Sequence, residues 1–127
     1  MREQWDALHY FTRGYPVHAI GVETYAPQIG QMGRGAWKTA WSFQLACCFA
    51  WTLGITPYSQ RPDDLKRFLL GKNKGGKVQV MGKVIAQIDG LGEALEEFSP
   101  GKWEHLSDAA GHAYLALDTF LRSKRDG

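Results

Sequence analysis

Three side chains of this sequence are of the types found in hydrolytic metal sites, namely Glu23, His105 and Asp108. Glu23 follows the apolar run at positions 17–22, and His105 and Asp108 precede an alanine-rich stretch at positions 109–117. Hard divalent cations need several oxygen ligands, which folded chains often collect from the end of a strand and the start of a helix. The pattern therefore makes Glu23 and Asp108 candidate metal ligands, with His105 beside Asp108.

Each of these residues also has a simpler interpretation. Glu23 could be a strand-end carboxylate that faces water, which the sequence alone favours as much as a metal ligand. Asp108 could cap or begin the last helix, where the helix dipole favours a negative charge. His105 and His112 share a helix face with Asp108, but imidazole suits a magnesium site poorly because this ion prefers oxygen. His105 is therefore expected to position water, to accept a proton or to coordinate the metal ion weakly, and His112 to be packed or exposed to solvent.

A second chemical feature is the separation of charges along the chain. From Lys66 to Ile88 the sequence holds six basic residues and no acidic residue, and such segregation offers a surface of one sign to a polyanion. The six residues are Lys66, Arg67, Lys72, Lys74, Lys77 and Lys83. The lysines in and after the loop Gly71–Gly76 could follow a phosphate backbone. The alternative is a solvated lysine loop with no partner.

Composition limits the class of protein. The chain has 127 residues, of which 44% are hydrophobic and 13% aromatic, so we predict one folded domain over residues 1–127. Cys47 and Cys48 are adjacent in an apolar helical run, which predicts two buried, reduced thiols in a cytoplasmic protein. We expect neither a signal peptide nor a membrane-spanning segment, because polar residues interrupt every apolar stretch.

Periodicity and turn residues predict a chain of helices with two strands. The predicted helices are at Arg2–Arg13, Ala36–Leu53, Asp63–Leu70, around Val78–Ile88, and from near Ser107 to about residue 121. The predicted strands are Val17–Tyr25 and Ile55–Tyr58, on either side of the second helix. A strand, a helix and a strand in this order predict a parallel crossover. The glycine-rich stretch Ala26–Gly35 is predicted to be a loop, and the tail at residues 122–127 to be frayed.

The order of these stretches resembles one protein family, the RuvC-type Holliday junction resolvases of the ribonuclease-H-like superfamily. The resemblance is carried by Gly21–Tyr25, a long helix from near Ala36, Thr56–Tyr58, Leu65–Val80 and His105–Leu117. It covers nearly the whole chain. In that family the first strand carries an Asp in a Gly-Ile-Asp-Pro-Gly-like motif, which has no counterpart here. The first three strands of the family, and one metal-binding carboxylate, are therefore expected to be missing.

The resemblance assigns roles to the candidate residues. In the family an acid ends the fourth strand and a His-x-x-Asp or Asp-x-x-Asp pair lies at the last helix, which implies that Glu23, His105 and Asp108 are catalytic. It further implies that Glu23 and Asp108 hold Mg²⁺ or Mn²⁺. The residues implied to bind DNA are Lys66, Arg67, Lys72, Lys74 and Lys77.

The expected fold is α/β: a truncated ribonuclease-H-like domain with a parallel strand–helix–strand core and flanking helices. The expected function is metal-dependent cleavage of branched DNA, as by a crossover junction endodeoxyribonuclease. A missing first strand would leave an unpaired sheet edge, so we expect a homodimer or another homo-oligomer. The alternatives are a non-catalytic module that binds DNA or a protein, and an inactive fragment of a resolvase.

Overall fold

The computed structural model describes residues 2–14, 16–23, 34–72 and 74–126. The elements in this part of the chain are α1 (Arg2–Thr12), β1 (Gly21–Glu23), α2 (Arg34–Thr52), β2 (Tyr58–Gln60), α3 (Pro62–Leu70), α4 (Lys77–Gln87), α5 (Leu91–Leu95) and α6 (Trp103–Asp126). A 3₁₀ turn, Pro100–Lys102, precedes α6. The chain divides into two compact units, Met1–Ser59 and Gln60–Gly127. The loop predicted at Ala26–Gly35 lies largely outside the described residues, and α2 begins within its predicted bounds, at Arg34.

The predicted α/β, ribonuclease-H-like fold is wrong. About 70% of the described residues are helical, and the described sheet consists of two parallel strands of three residues each. The physical reason lies in where the apolar side chains fall. Most of those that form the buried cores lie on helices, and a two-stranded sheet of this length buries too little surface to organise a domain. The predicted parallel pair of strands on either side of a helix is present. The larger sheet of a ribonuclease-H-like core is absent from the described residues.

In the first unit, α1 packs on α2 through aromatic rings. The ring centroids of Trp5 and His9 lie 5.7 and 5.0 Å from that of Phe49, both in edge-to-face geometry. Aromatic pairs favour this arrangement because the positive ring edge meets the negative face. The Tyr58 N–H donates a 2.9 Å hydrogen bond to the Ile20 carbonyl, where β2 meets the start of β1. Of the strand predicted over Val17–Tyr25, the structure describes the residues up to Glu23, and within these the regular strand is Gly21–Glu23.

The second unit is built from helices around the buried side chains of Leu65, Val80 and Val84. Helix α3 starts at Pro62, a residue suited to the first helical position, and the Asp64 carboxylate accepts a 2.8 Å hydrogen bond from the Arg61 N–H. Helix α6 packs closely on this core at Gly111. A methyl group on Gly111 would lie 3.0 Å from Val84 Cγ2 and 3.1 Å from Leu65 Cδ2.

Helix α6 starts earlier and ends later than predicted. The 3₁₀ turn leads directly into α6 at Trp103, four residues before the predicted start at Ser107. The Trp103 indole N–H donates to the carbonyls of Leu95 and Phe98 at 2.6 and 3.0 Å, which fixes this start against the end of α5. The tail that was predicted to be frayed is helical to Asp126.

Helix α2 confirms its predicted bounds to within two residues at each end, but its burial is uneven. Phe49 and Ala50 are buried, whereas Trp51 is 61% exposed. Cys47 is buried as predicted, Cys48 is exposed contrary to prediction, and both thiols are free. Among the helices that the structure describes, none combines the length and apolarity needed to cross a membrane.

Candidate nucleic-acid interface

The basic residues of the second unit lie on α3, on α4 and in the loop between them. Helix α3 ends at Gly71, whose positive φ of 75° favours glycine and whose N–H donates to the Arg67 carbonyl at 2.9 Å. Lys72 and Lys74 follow in the loop, and both are exposed. Arg67 is exposed on α3 and Lys66 is half-buried. The loop therefore presents its ammonium groups to solvent.

Two glycines fix the position at which α4 begins. Gly75 has a φ of 148°, and a Cβ there would lie 2.5 Å from Leu70 Cδ1, so no other residue fits without rearrangement. Gly76 caps α4, and its N–H donates to the Gln79 side-chain Oε1 at 3.2 Å. Lys77 thus becomes the first residue of α4.

Lys77 joins this basic segment to the start of α6. Its Nζ lies 2.9 Å from Glu104 Oε1, and the two side chains are 78% and 41% exposed. The hydrogen bond and the negative charge of Glu104 raise the pKa of Lys77, and the negative charge of Asp108 adds to the rise. The candidate metal ligand Asp108 is therefore within electrostatic reach of the first residue of α4.

The two other candidate catalytic residues, His105 and Glu23, belong to different units. His105 is exposed on α6, one turn before the half-buried Asp108. Because α6 begins at Trp103, the interpretation of Asp108 as the residue that caps this helix is wrong. Glu23 is the exposed last residue of β1, in the first unit, whereas His105 and Asp108 belong to the second.

The metal ion implied by the resemblance needs donor groups of the right type that lie close together. Glu23 and Asp108 are carboxylates, the ligand type that Mg²⁺ and Mn²⁺ favour, so their chemistry fits a hard cation. Grouping is a stricter condition. Within the described ranges, no three side chains of the His, Cys, Asp or Glu type come together in a way that could hold a metal ion. Glu23 and Asp108 therefore match a hard cation in the type of their donor atoms, and Asp108 is the candidate ligand in the second unit.

Two residues with contacts in this unit, Glu104 and Gln60, were not predicted from the sequence. Glu104 was not identified as a candidate, because the predicted start of α6 near Ser107 left it outside that helix. Gln60 was not singled out either, yet its buried side chain contacts His112 across 52 positions of sequence. The run of basic residues 66–88 beside an acidic run could have suggested an ion pair, but not which acid forms it.

No protein-family model matches this sequence, and no curated protein matches it.

Proposed function

We propose that this chain is a metal-dependent endonuclease of branched DNA, and that its second unit binds the DNA backbone. The observation that supports the proposal most is the position of Lys77, which is 2.9 Å from Glu104 and within electrostatic reach of Asp108. A phosphodiester bound at Lys77 would lie close to Glu104 and within electrostatic reach of Asp108, a carboxylate suited to a metal ion. Binding and chemistry would then occur on the same side of the second unit.

In this proposal the basic side chains attract and hold phosphate groups, and they read the shape of the DNA rather than its sequence. These residues are Lys66, Arg67, Lys72, Lys74 and Lys77. As the resemblance implies, Glu23 and Asp108 would be the ligands of Mg²⁺ or Mn²⁺, which when bound would activate water and stabilise the leaving oxygen. His105, exposed one turn before Asp108, positions the attacking water or accepts its proton. These roles rest on the resemblance of the sequence motifs to those of the resolvase family, because the fold that the resemblance implied is not observed.

A second candidate function is favoured by the same ion pair. An ammonium group beside Glu104 and Asp108 compensates these carboxylates without a metal ion. A module of this kind would bind DNA through its lysines and leave cleavage to another protein. The two candidates share the binding surface and differ in whether Asp108 is needed for chemistry.

We also propose that the protein works in the cytoplasm as a homodimer or another homo-oligomer. Its two free thiols are consistent with a reducing compartment. Leu117 and Leu121, one turn apart on α6, are 47% and 45% exposed and offer apolar surface for association. Light scattering coupled to size-exclusion chromatography tests this proposal directly, because a monomer at all concentrations would contradict it.

The test of the proposed function is cleavage of a labelled four-way DNA junction in Mg²⁺ or Mn²⁺. The wild type is compared with Asp108→Asn and Glu23→Gln, and with Asp89→Asn as a control that removes an exposed acid outside the candidate site. The proposal predicts nicking that needs the metal ion, is lost in the first two variants and is kept in the control. Junction binding without cleavage by the wild type would favour the non-catalytic module. If the wild type neither binds nor cleaves the junction, both candidate functions are overturned.

A further inference from the structure

The ion pair between Lys77 and Glu104 leaves one cation of the basic segment already occupied. The Nζ–Oε1 distance of 2.9 Å is that of a charge-assisted hydrogen bond. Of the six basic side chains between residues 66 and 88, Lys77 is the one that forms an ion pair within the described part of the chain. The other five are Lys66, Arg67, Lys72, Lys74 and Lys83.

Glu104 reaches Lys77 from a different helix, so the pairing is a property of the packed unit. Gly75 and Gly76 set the start of α4, and Trp103 sets the start of α6 by donating to the carbonyls of Leu95 and Phe98. These contacts hold Lys77 and Glu104 opposite each other. The hydrogen bond to Glu104 and the negative charge of this carboxylate raise the pKa of Lys77, so its ammonium group stays protonated in the pair.

A carboxylate and a phosphodiester compete for the same ammonium group. Both are anions that accept hydrogen bonds from Nζ, and Lys77 is 78% exposed, so a phosphate can approach it from solvent. A DNA phosphate that binds Lys77 must displace Glu104 or share the ammonium group with it, and in either case it lies close to the negative charge of Glu104. Glu104 therefore opposes DNA binding in two ways, by occupying Lys77 and by repelling phosphate.

We infer that Glu104 is an intramolecular competitor of DNA phosphate at Lys77 and sets the affinity of this surface for DNA. The inference rests on the proposed function, because it assumes that the basic segment binds a DNA backbone. It adds a residue that lowers the affinity for DNA to the basic residues that raise it. Displacement of Glu104 also gives DNA binding a local structural signal at the start of α6, one turn before Asp108.

The experiment is a double-mutant cycle on DNA binding. Wild type, Glu104→Gln, Lys77→Ala and the double variant are titrated onto a fluorescent four-way junction without divalent metal at low salt, and binding is followed by anisotropy. Glu97→Gln is the matched control, because it removes one exposed negative charge elsewhere in the same unit. Circular dichroism and thermal melting of each variant establish that the second unit is folded.

The inference predicts that Glu104→Gln binds the junction about 2- to 5-fold more tightly than wild type, the range that an exposed ion pair supports. It predicts a clearly smaller gain from the same substitution when Lys77 is already alanine, because only the repulsion of phosphate is then removed, and a smaller gain from Glu97→Gln as well. If Glu104→Gln increases the affinity equally with and without Lys77, or does not increase it at all, the inference is overturned. Binding of the junction by the wild type would still support the proposed function in that case. Failure of every variant to bind would overturn both.

Discussion

The Nδ1 atom of His112 lies 2.7 Å from Oε1 of Gln60, and both side chains are buried. Gln60 is the first residue of the second unit and His112 lies in the middle of α6, so this hydrogen bond joins the start of the unit to its longest helix. An amide oxygen only accepts, so in this orientation of the amide Nδ1 carries the proton and donates it. The expectation that His112 is packed or exposed is thereby resolved in favour of packing.

Replacement of either partner should destabilise the second unit. His112→Leu leaves the buried amide of Gln60 without this hydrogen bond, and the expected loss in the free energy of unfolding is about 1–3 kcal/mol. Gln60→Leu should have a similar effect. The double variant should lose less than the sum of the two, because no polar group of the pair is then left buried alone. Urea denaturation measures all four proteins, and strictly additive losses would show that the two side chains are not coupled.

Two helical glycines should respond to alanine in opposite directions. At Gly111 the added methyl group would lie 3.0 Å from Val84 Cγ2, so Gly111→Ala should lower the free energy of unfolding by about 1–3 kcal/mol through overpacking. At Gly82 on α4 a methyl group meets nothing within 4 Å. Gly82→Ala should therefore raise stability by up to about 1 kcal/mol through helix propensity. Thermal melting of the two variants checks the pair, and a stabilised Gly111→Ala would refute the close packing of α6.

The adjacent cysteines should differ in reactivity. Cys48 is exposed, whereas Cys47 is buried and its pKa is raised, first by burial and then by the negative charge of Cys48. Since the thiolate is the nucleophile, iodoacetamide at mildly alkaline pH should label Cys48 well before Cys47. Mass spectrometry of timed samples measures both rates, and Cys48→Ala isolates the slower one. Equal rates would contradict the burial of Cys47.

The same raised pKa gives a pH dependence of stability. A thiol whose pKa is higher in the folded state favours folding while it is protonated, so this contribution is complete below the unfolded pKa, about 8.5. It is lost as the pH rises through the raised folded pKa. Wild type should therefore lose more stability than Cys47→Ala between pH 7.5 and a pH above that raised pKa. Denaturation of both proteins across this interval measures the difference, and parallel curves would argue against a burial-raised pKa.

Local signals predicted the helices well and the sheet poorly. Pro62 and Gly71 bound α3, and apolar spacing bounds α1, α2 and α4, so these elements could be predicted from nearby residues. The run from Val17 is apolar enough for a strand, but a strand also needs a partner, and composition does not supply one. The start of α6 was missed because Pro100–Gly101 indicated a turn, whereas the chain passes from that turn directly into the helix.

For a similar reason, the sequence reveals some charged residues of the candidate site and not others. The basic segment was visible as a run of one charge sign, and Lys72, Lys74 and Lys77 lie where that run predicted. Glu104 was not visible, because its role depends on how α4 packs on α6, a long-range relationship that no local pattern carries. Whether Glu23 and Asp108 act together on one metal ion stays a prediction.

The proposed function requires the basic segment of the second unit to bind DNA. The most direct test is junction binding by a variant in which three lysines of this segment are replaced by alanine. The variant Lys72→Ala/Lys74→Ala/Lys77→Ala is compared with Arg122→Ala/Lys124→Ala/Arg125→Ala, which removes as many charges at the far end of α6, about 30 Å along the helix from Glu104. We expect wild type and the second variant to bind a four-way junction, and the first to bind much more weakly with a lower salt dependence. Equal binding by the two variants, or none by wild type, would contradict the claim.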